Sequence, residues 1–201
     1  MNEQYYEKQL NIKTSGEQKT GNESSHYHIY EPTPYSALEA LSKQYTFSKE
    51  DHIIDFGCGK GRFSFYVNYF FDAAVTGIEM NPFFYQQAVE NKKEYLKKQK
   101  RHIHQLAFFH CFAEAYEVQP FHNTFYFFNP FSLQIFIKVI DNILLSIEKT
   151  KRNAKLILYY PSYDYTFFLE NTPFTLLDEI SVPCSNHHDP RNRFLIYRFA
   201  P

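Results

Sequence analysis

Tryptophan is absent from the 201 residues, and the three cysteines, Cys58, Cys111 and Cys184, make neither a CxxC pair nor an even-numbered framework. That excludes a disulfide-stapled secreted scaffold and the commonest structural zinc patterns, and it suits a reducing, cytoplasmic setting. Charge of one sign is also lacking. The formal net charge of -1 gives no overall electrostatic case for nucleic acid or an anionic membrane, and leaves only a local basic patch open. No apolar run approaches the length of a membrane span, and the N-terminal MNEQYYEKQL is polar, unlike an apolar signal segment. What the chain does have is rings: 22 Phe and 17 Tyr bring aromatics to 19%, so core and pocket walls should be ring-rich. At 24.0 kDa there is room for one α/β domain with a substantial core.

The organising stretch is His52 to Arg62, HIIDFGCGKGR. Ile53 and Ile54 form a β-branched apolar run, and Gly57, Gly59 and Gly61 follow at alternate positions, so a buried strand ends in a turn free of side-chain bulk. From Arg62 onward, Phe63, Tyr66, Val67 and Phe70 fall at helical spacing, which makes the context strand, glycine turn, helix. Phosphate cradles fit less well. A dinucleotide fingerprint would need a third glycine where Arg62 stands, and the Gly-x-x-x-x-Gly-Lys of a P-loop is absent.

Asp55-x-Gly57-x-Gly59-x-Gly61 after a strand resembles the first motif of class I S-adenosylmethionine-dependent methyltransferases. The resemblance covers about residues 28 to 199 and implies a Rossmann-like three-layer α/β fold, with a seven-stranded, mostly parallel sheet and a C-terminal antiparallel hairpin. It also implies S-adenosyl-L-methionine as cofactor. Gly57, Cys58, Gly59 and Gly61 would wrap its methionine part, and Asp55 would accept from its ammonium group or a bound water. Glu79 ends the second strand, AVTGIEMNP, at the βαβ spacing from Asp55, and would accept from both ribose hydroxyls, with Met80 packing on the adenine. Ala113 and Glu114, after the strand Leu106 to Phe112, take the place of the family's adenine-contacting segment.

Residues 1–25 are polar, with too few apolar side chains to offset the entropy of ordering, and read as a mobile N-terminal tail, a folding lid being the sharper alternative. Residues 26–201 form the single domain. In its lead-in, HIYEPTP, two prolines fix an extended path before a helix over Tyr35 to Gln44. Tyr30 and Thr33 there resemble the segment that closes over the cofactor in several of these enzymes. A long helix from Pro82 ends in Lys92, Lys93, Lys97, Lys98, Lys100 and Arg101, a solvated face first and an RNA contact second.

The second informative stretch is FYFFNPFS, Phe125 to Ser132, which completes a strand and places Asn129-Pro130-Phe131 at its C-terminal end, where ligands bind in an open α/β sheet. It resembles the Asp/Asn-Pro-Pro-Tyr/Phe motif of amino methyltransferases with one proline missing. The catalytic expectation is therefore Asn129, Pro130 and Phe131: the Asn oxygen orients the amine, the ring packs on the acceptor, and Asn129 also counts among the expected cofactor contacts. Tyr159 or Tyr160, ending the strand LILYYP, could line the acceptor pocket. The expected acceptor is a protein lysine or another amine, with small-molecule or RNA methylation, a non-catalytic cofactor-binding module and a dehydrogenase as alternatives. His187-His188-Asp189 is metal-like in composition alone; adjacent histidines point poorly at one ion, so no metal is expected.

Overall fold

The computed structural model describes residues 3–16, 28, 30–99, 105–183 and 189–200. In chain order it runs α1 (Glu3–Leu10), α2 (Tyr35–Gln44), β1 (His52–Phe56), α3 (Arg62–Phe71), β2 (Ala74–Glu79), α4 (Pro82–Lys98) and β3 (Leu106–His110). A single 3-10 turn, Ala113–Ala115, then leads to β4 (Thr124–Phe127), α5 (Leu133–Lys149), β5 (Ala154–Tyr159), α6 (Tyr163–Leu169), β6 (Thr175–Ser181) and β7 (Arg193–Phe199). The strands make one seven-stranded sheet in the order β3-β2-β1-β4-β5-β7-β6. Only β7 runs antiparallel to its neighbours β5 and β6, which is the expected closing hairpin.

Period-two alternation divides the strand side chains between two apolar layers. Ile53, Val75, Leu106, Tyr126 and Ile157 face the side covered by α1, α2, α3 and α4, while Ile54, Phe56, Phe125, Phe127, Leu156 and Leu158 face α5 and α6. Rings dominate both. Phe63 stacks on Tyr126 with centroids 3.6 Å apart on one side, and Phe136 stacks on Tyr165 at 3.7 Å on the other. The strand order reverses between β1 and β4. The carboxyl ends of these two strands, with the loops that leave them, are where an open α/β sheet offers a crevice.

The N-terminus departs from the expected tail. Residues 3–16 form α1 and an extension whose Tyr6, Leu10, Ile12 and Thr14 are buried. Composition undercounts what holds this segment: Tyr6 stacks on Tyr35 at 4.5 Å and donates to Glu39. Glu3 and Glu7 reach the buried Arg62 guanidinium at 2.7 and 3.7 Å. Arg62 also donates to Thr14 Oγ1 and the Thr33 carbonyl and lies over the Tyr35 ring, so one cation ties α1, the lead-in and α3 together. The remainder of the expected tail lies outside the described residues. Tyr6→Ala removes a buried ring from this junction and should cost about 3 kcal/mol. The urea midpoint measures it, and an unchanged midpoint would mean that α1 adds nothing to the fold.

Candidate active site

Backbone geometry at the end of β1 explains the glycines. Gly57 and Gly59 have φ of +73° and +54°, and a Cβ on Gly57 would lie 2.5 Å from Pro130 Cβ, one on Gly59 2.1 Å from the Tyr30 ring. Any side chain there would be strained and would also collide with the two segments that close on the turn. The turn is fastened to β2. Gly57 and Cys58 N–H both donate to the Ile78 carbonyl, and Gly59 N–H donates to Glu79 Oε2 at 2.8 Å. Glu79 Oε1 accepts from Asn81 N–H at 2.7 Å, and the Asn81 side chain caps α4 by accepting from Phe83 and Phe84 N–H. Burial pushes the Glu79 carboxyl upward against these backbone donors.

Beside this turn lies a cleft of about 910 Å³, its open mouth included. The structure brings six of the expected cofactor contacts to its walls: Tyr30, Gly57, Glu79, Met80, Ala113 and Asn129. Pro130 joins them from the expected catalytic motif. Asn129 adopts φ +41°, outside the usual range for a side-chain-bearing residue, and its buried Oδ1 has no hydrogen-bond partner. An orphaned acceptor at a cleft wall is costly unless a ligand donor meets it.

Other expected contacts stand behind the walls. Asp55 is buried and accepts from Ser64 Oγ at 2.6 Å, Cys58 is buried against Gly77, and Gly59 and Gly61 shape the turn without lining the cleft. Thr33 bonds through Oγ1 to Tyr126 Oη at 2.7 Å and so pins the lead-in to β4. Glu114 is half-buried, with its carbonyl held by Asn142 Nδ2. Phe131 corrects the expectation of a substrate-packing ring. It is fully buried, packs against Phe127, and gives its carbonyl to Tyr165 Oη, because the chain re-enters the core directly after the Asn129-Pro130 turn.

The rings at that end of the cleft are Phe128 and Tyr160. Tyr160, the expected pocket residue, has φ +50°, donates to Asp189 and accepts from Arg191 at 2.8 Å. His187 and His188 of the metal-like tripeptide lie outside the described residues. Among the described residues no group of three or more His, Cys, Asp and Glu could hold a metal ion, and no helix is long and apolar enough to cross a membrane. The basic end of α4 is partly engaged: Lys97 pairs with Glu94, and Lys98 donates to the Lys8 carbonyl; Lys100 and Arg101 lie outside the described residues. Sequence reasoning missed His28, Glu31, Asn81, Phe84 and Phe128 as lining residues. Only Asn81 carried a legible signal, an Asn-Pro helix start after the acid.

A family model described as "Methyltransferase domain" matches residues 47–155, which span the glycine turn, Glu79 and Asn129. The chain belongs to this methyltransferase family. Among curated proteins none matches it. Among solved structures, the RNA methyltransferase from Salinibacter ruber in complex with S-adenosyl-L-homocysteine is 17% identical, with a TM-score of 0.54 over 84% of this chain and 92% of that one. The magnesium protoporphyrin IX methyltransferase from Synechocystis with bound S-adenosylmethionine is 13% identical, with a TM-score of 0.54 over 83% and 77%. Geranyl diphosphate C-methyltransferase from Streptomyces coelicolor is 8% identical, with a TM-score of 0.56 over 82% and 78%. These likenesses are of fold, the Rossmann-like fold of class I S-adenosylmethionine-dependent methyltransferases, and the acceptors differ from one to the next. The methyltransferase cleft here fits that cofactor's chemistry: an orphaned acceptor oxygen, a carboxylate with lone pairs to spare, and a turn bare of side chains.

Asp55 yields a pH prediction. Burial raises its carboxyl to about 7, with the Ser64 hydrogen bond opposing the rise and the Glu79 charge adding to it. A folded-state value above the unfolded one of about 3.9 means that the folded protein keeps the proton longer. The group's contribution to stability is then most favourable below about pH 4 and falls as pH rises through 7. Asp55→Asn should flatten that decline and raise the urea midpoint at pH 8 relative to the wild type. A variant equally or less stable at pH 8, with an unchanged slope, would contradict it.

Proposed function

We propose that this methyltransferase holds S-adenosylmethionine between the glycine turn and Glu79 and methylates the nitrogen of an amine, a protein lysine or a smaller amine, in front of Asn129. The observation that carries the reading is the buried, unpartnered Asn129 Oδ1 at the wall of the same cleft as Gly57 and Glu79. An amide oxygen in that position can only accept, so the group it meets brings an N–H or O–H donor.

In this arrangement Glu79 accepts from the ribose hydroxyls with the lone pairs that Gly59 and Asn81 leave over. Ile78, Met80 and Ala113 offer an apolar slot for the adenine. Asp55 does not line the cleft, so its part is to hold Ser64 and the start of α3 beneath the turn. When bound, the cofactor supplies a methyl group on a sulfonium. The protein's task is then mainly orientation: Asn129 directs the acceptor nitrogen, and Phe128 and Tyr160 wall it in. Pro130 presses on Gly57 and keeps the acceptor end close to the cofactor end.

Two variants separate the halves of the site. Glu79→Gln should weaken S-adenosylhomocysteine binding by about 10- to 100-fold, the worth of hydrogen bonds to a charged group. Calorimetry on protein with an unchanged urea midpoint measures it, and retained affinity would remove Glu79 from the cofactor. Asn129→Ala should lower transfer of labelled methyl groups to extract acceptors about 10²-fold, as for a misplaced reactant, with S-adenosylhomocysteine affinity little changed. A full rate in that variant would take Asn129 out of the acceptor site, and mass spectrometry of the labelled product identifies the methylated atom.

A further inference from the structure

A second cleft lies on the sheet face beside the link from β3 to β4. Strand residues alternate, so His52, Ala74, Thr76 and Ala107 turn away from the buried Ile53, Val75 and Leu106, to the face that carries Ile54 and Ile78. These four line the second cleft together with Phe109 of β3 and with Tyr116 and Phe121 of the link. It shares no lining residue with the cleft of Gly57, Glu79 and Asn129. Ala74, Thr76 and Ala107 are small and half-buried, and small side chains bordered by rings suit a flat aromatic body. No lysine or arginine is among the described lining residues, so an anion meets no opposite charge there.

His122 also lines this cleft and is only 1% exposed. It is fixed from the backbone outward. Its N–H donates to the Gln119 carbonyl at 3.1 Å, its carbonyl accepts from Arg152 Nε at 2.7 Å, and its Nδ1 accepts from the Gln119 N–H at 3.1 Å. A backbone N–H only donates, so Nδ1 holds the lone pair and the proton of the neutral ring sits on Nε2. Burial, helped by His52 and Arg152, lowers the imidazole pKa to about 4, which keeps the ring neutral at physiological pH. Nε2 is buried, and no hydrogen-bond acceptor meets it. A buried donor left unmet is costly, and an acceptor brought to it removes that penalty.

We propose that this second cleft binds a neutral, flat aromatic molecule, whose acceptor nitrogen or oxygen takes the hydrogen bond from His122 Nε2–H while its ring lies among Phe109, Tyr116 and Phe121. Because the two clefts share no lining residue, the site stands whether or not the methyltransferase reading does.

Quinoline and indole test it on the full chain. Both are flat two-ring molecules, but quinoline offers an acceptor nitrogen at pH 8 and the indole nitrogen only donates. In protein labelled with ¹⁵N-histidine, His122 is the imidazole that stays neutral down to about pH 4. It should show a protonated Nε2 and a bare Nδ1, and quinoline should move the Nε2 signal more than indole does. By protein-observed titration, quinoline should bind about 3- to 10-fold more tightly than indole, the worth of one neutral hydrogen bond. His122→Phe keeps a ring and loses the donor, so the preference should vanish. Phe109→Ala removes a half-exposed ring, so both ligands should weaken about threefold or more while the preference survives. The opposite tautomer, an Nε2 signal that quinoline leaves unmoved, equal affinities in the wild type, or unchanged binding in Phe109→Ala overturns the proposal. So does self-association of the wild type that Phe109→Ala abolishes, since a second copy would then be the occupant. Should His122→Phe fail to fold, the histidine signals of the wild type and the Phe109→Ala titration still decide.

Discussion

The bonds from Gly59 and Asn81 N–H to the two oxygens of Glu79 hold the site together. β1 and β2 pair in parallel with Phe56 opposite Ile78, which brings the turns leaving both strands side by side at one sheet edge. Strand pairing stops there, and the carboxylate continues the join. Both bonds are charge-assisted and buried, so they are short, strong and costly to leave unmade. The consequence runs in two directions. The glycine turn is held open as a bare backbone surface, and α4 is launched from Asn81 at an angle that carries Phe84 to the cleft wall.

What closes over this surface is anchored from the opposite side by Arg62. Its guanidinium is buried, with Nε donating to Thr14, Nη1 to Glu3 and the Thr33 carbonyl, and Nη2 paired in charge with the carboxylates of Glu3 and Glu7. A buried cation is tolerated only with such partners, and breaking them is more damaging than the pair is stabilising. Because Arg62 holds Thr14 and, within the lead-in, Thr33, the same network seats Tyr30, whose hydroxyl donates to the Thr14 carbonyl and whose ring lies over Gly59 and against Phe84. Packing of the N-terminal segment thus sets one wall of the cleft.

That network marks the boundary of what sequence reasoning could reach. The strand-turn-helix around Gly57, the acid at Glu79 and the Asn-Pro turn at the end of β4 were legible because each is a local pattern whose side-chain types serve one geometry. The seven-stranded, mostly parallel sheet with its closing antiparallel hairpin followed from the resemblance that those patterns carried. Residues 3–16 were misread because their stability lies in Arg62 and Tyr35, far along the chain, and a count of apolar residues does not register a buried ion pair. Phe131 was misassigned because an Asn-Pro turn does not show which way the next ring faces; Tyr165 and Phe127 decide that. His28 gave no local signal, its bonds to Asn129 and Pro130 being a product of tertiary closure.

The short link from β3 to β4 bears on what the far end of the cleft can select. Where a doubly wound fold usually places a helix, the chain has only the 3-10 turn Ala113–Ala115, and Phe109 and Phe121 are left about half exposed at 47% and 56%. Asn142 of α5 holds the Glu114 carbonyl, and Cys111 N–H donates to the Glu79 carbonyl, so the link is pinned at both ends with the Ala113 methyl turned to the cleft. Ile78, Met80 and Ala113 line the cleft, and Glu114 does not. On the proposed reading, a flat ring would meet these side chains by apolar contact, and hydrogen-bond discrimination would fall to Glu79. The division explains why a single carboxylate, tied to two backbone turns, carries so much of the arrangement.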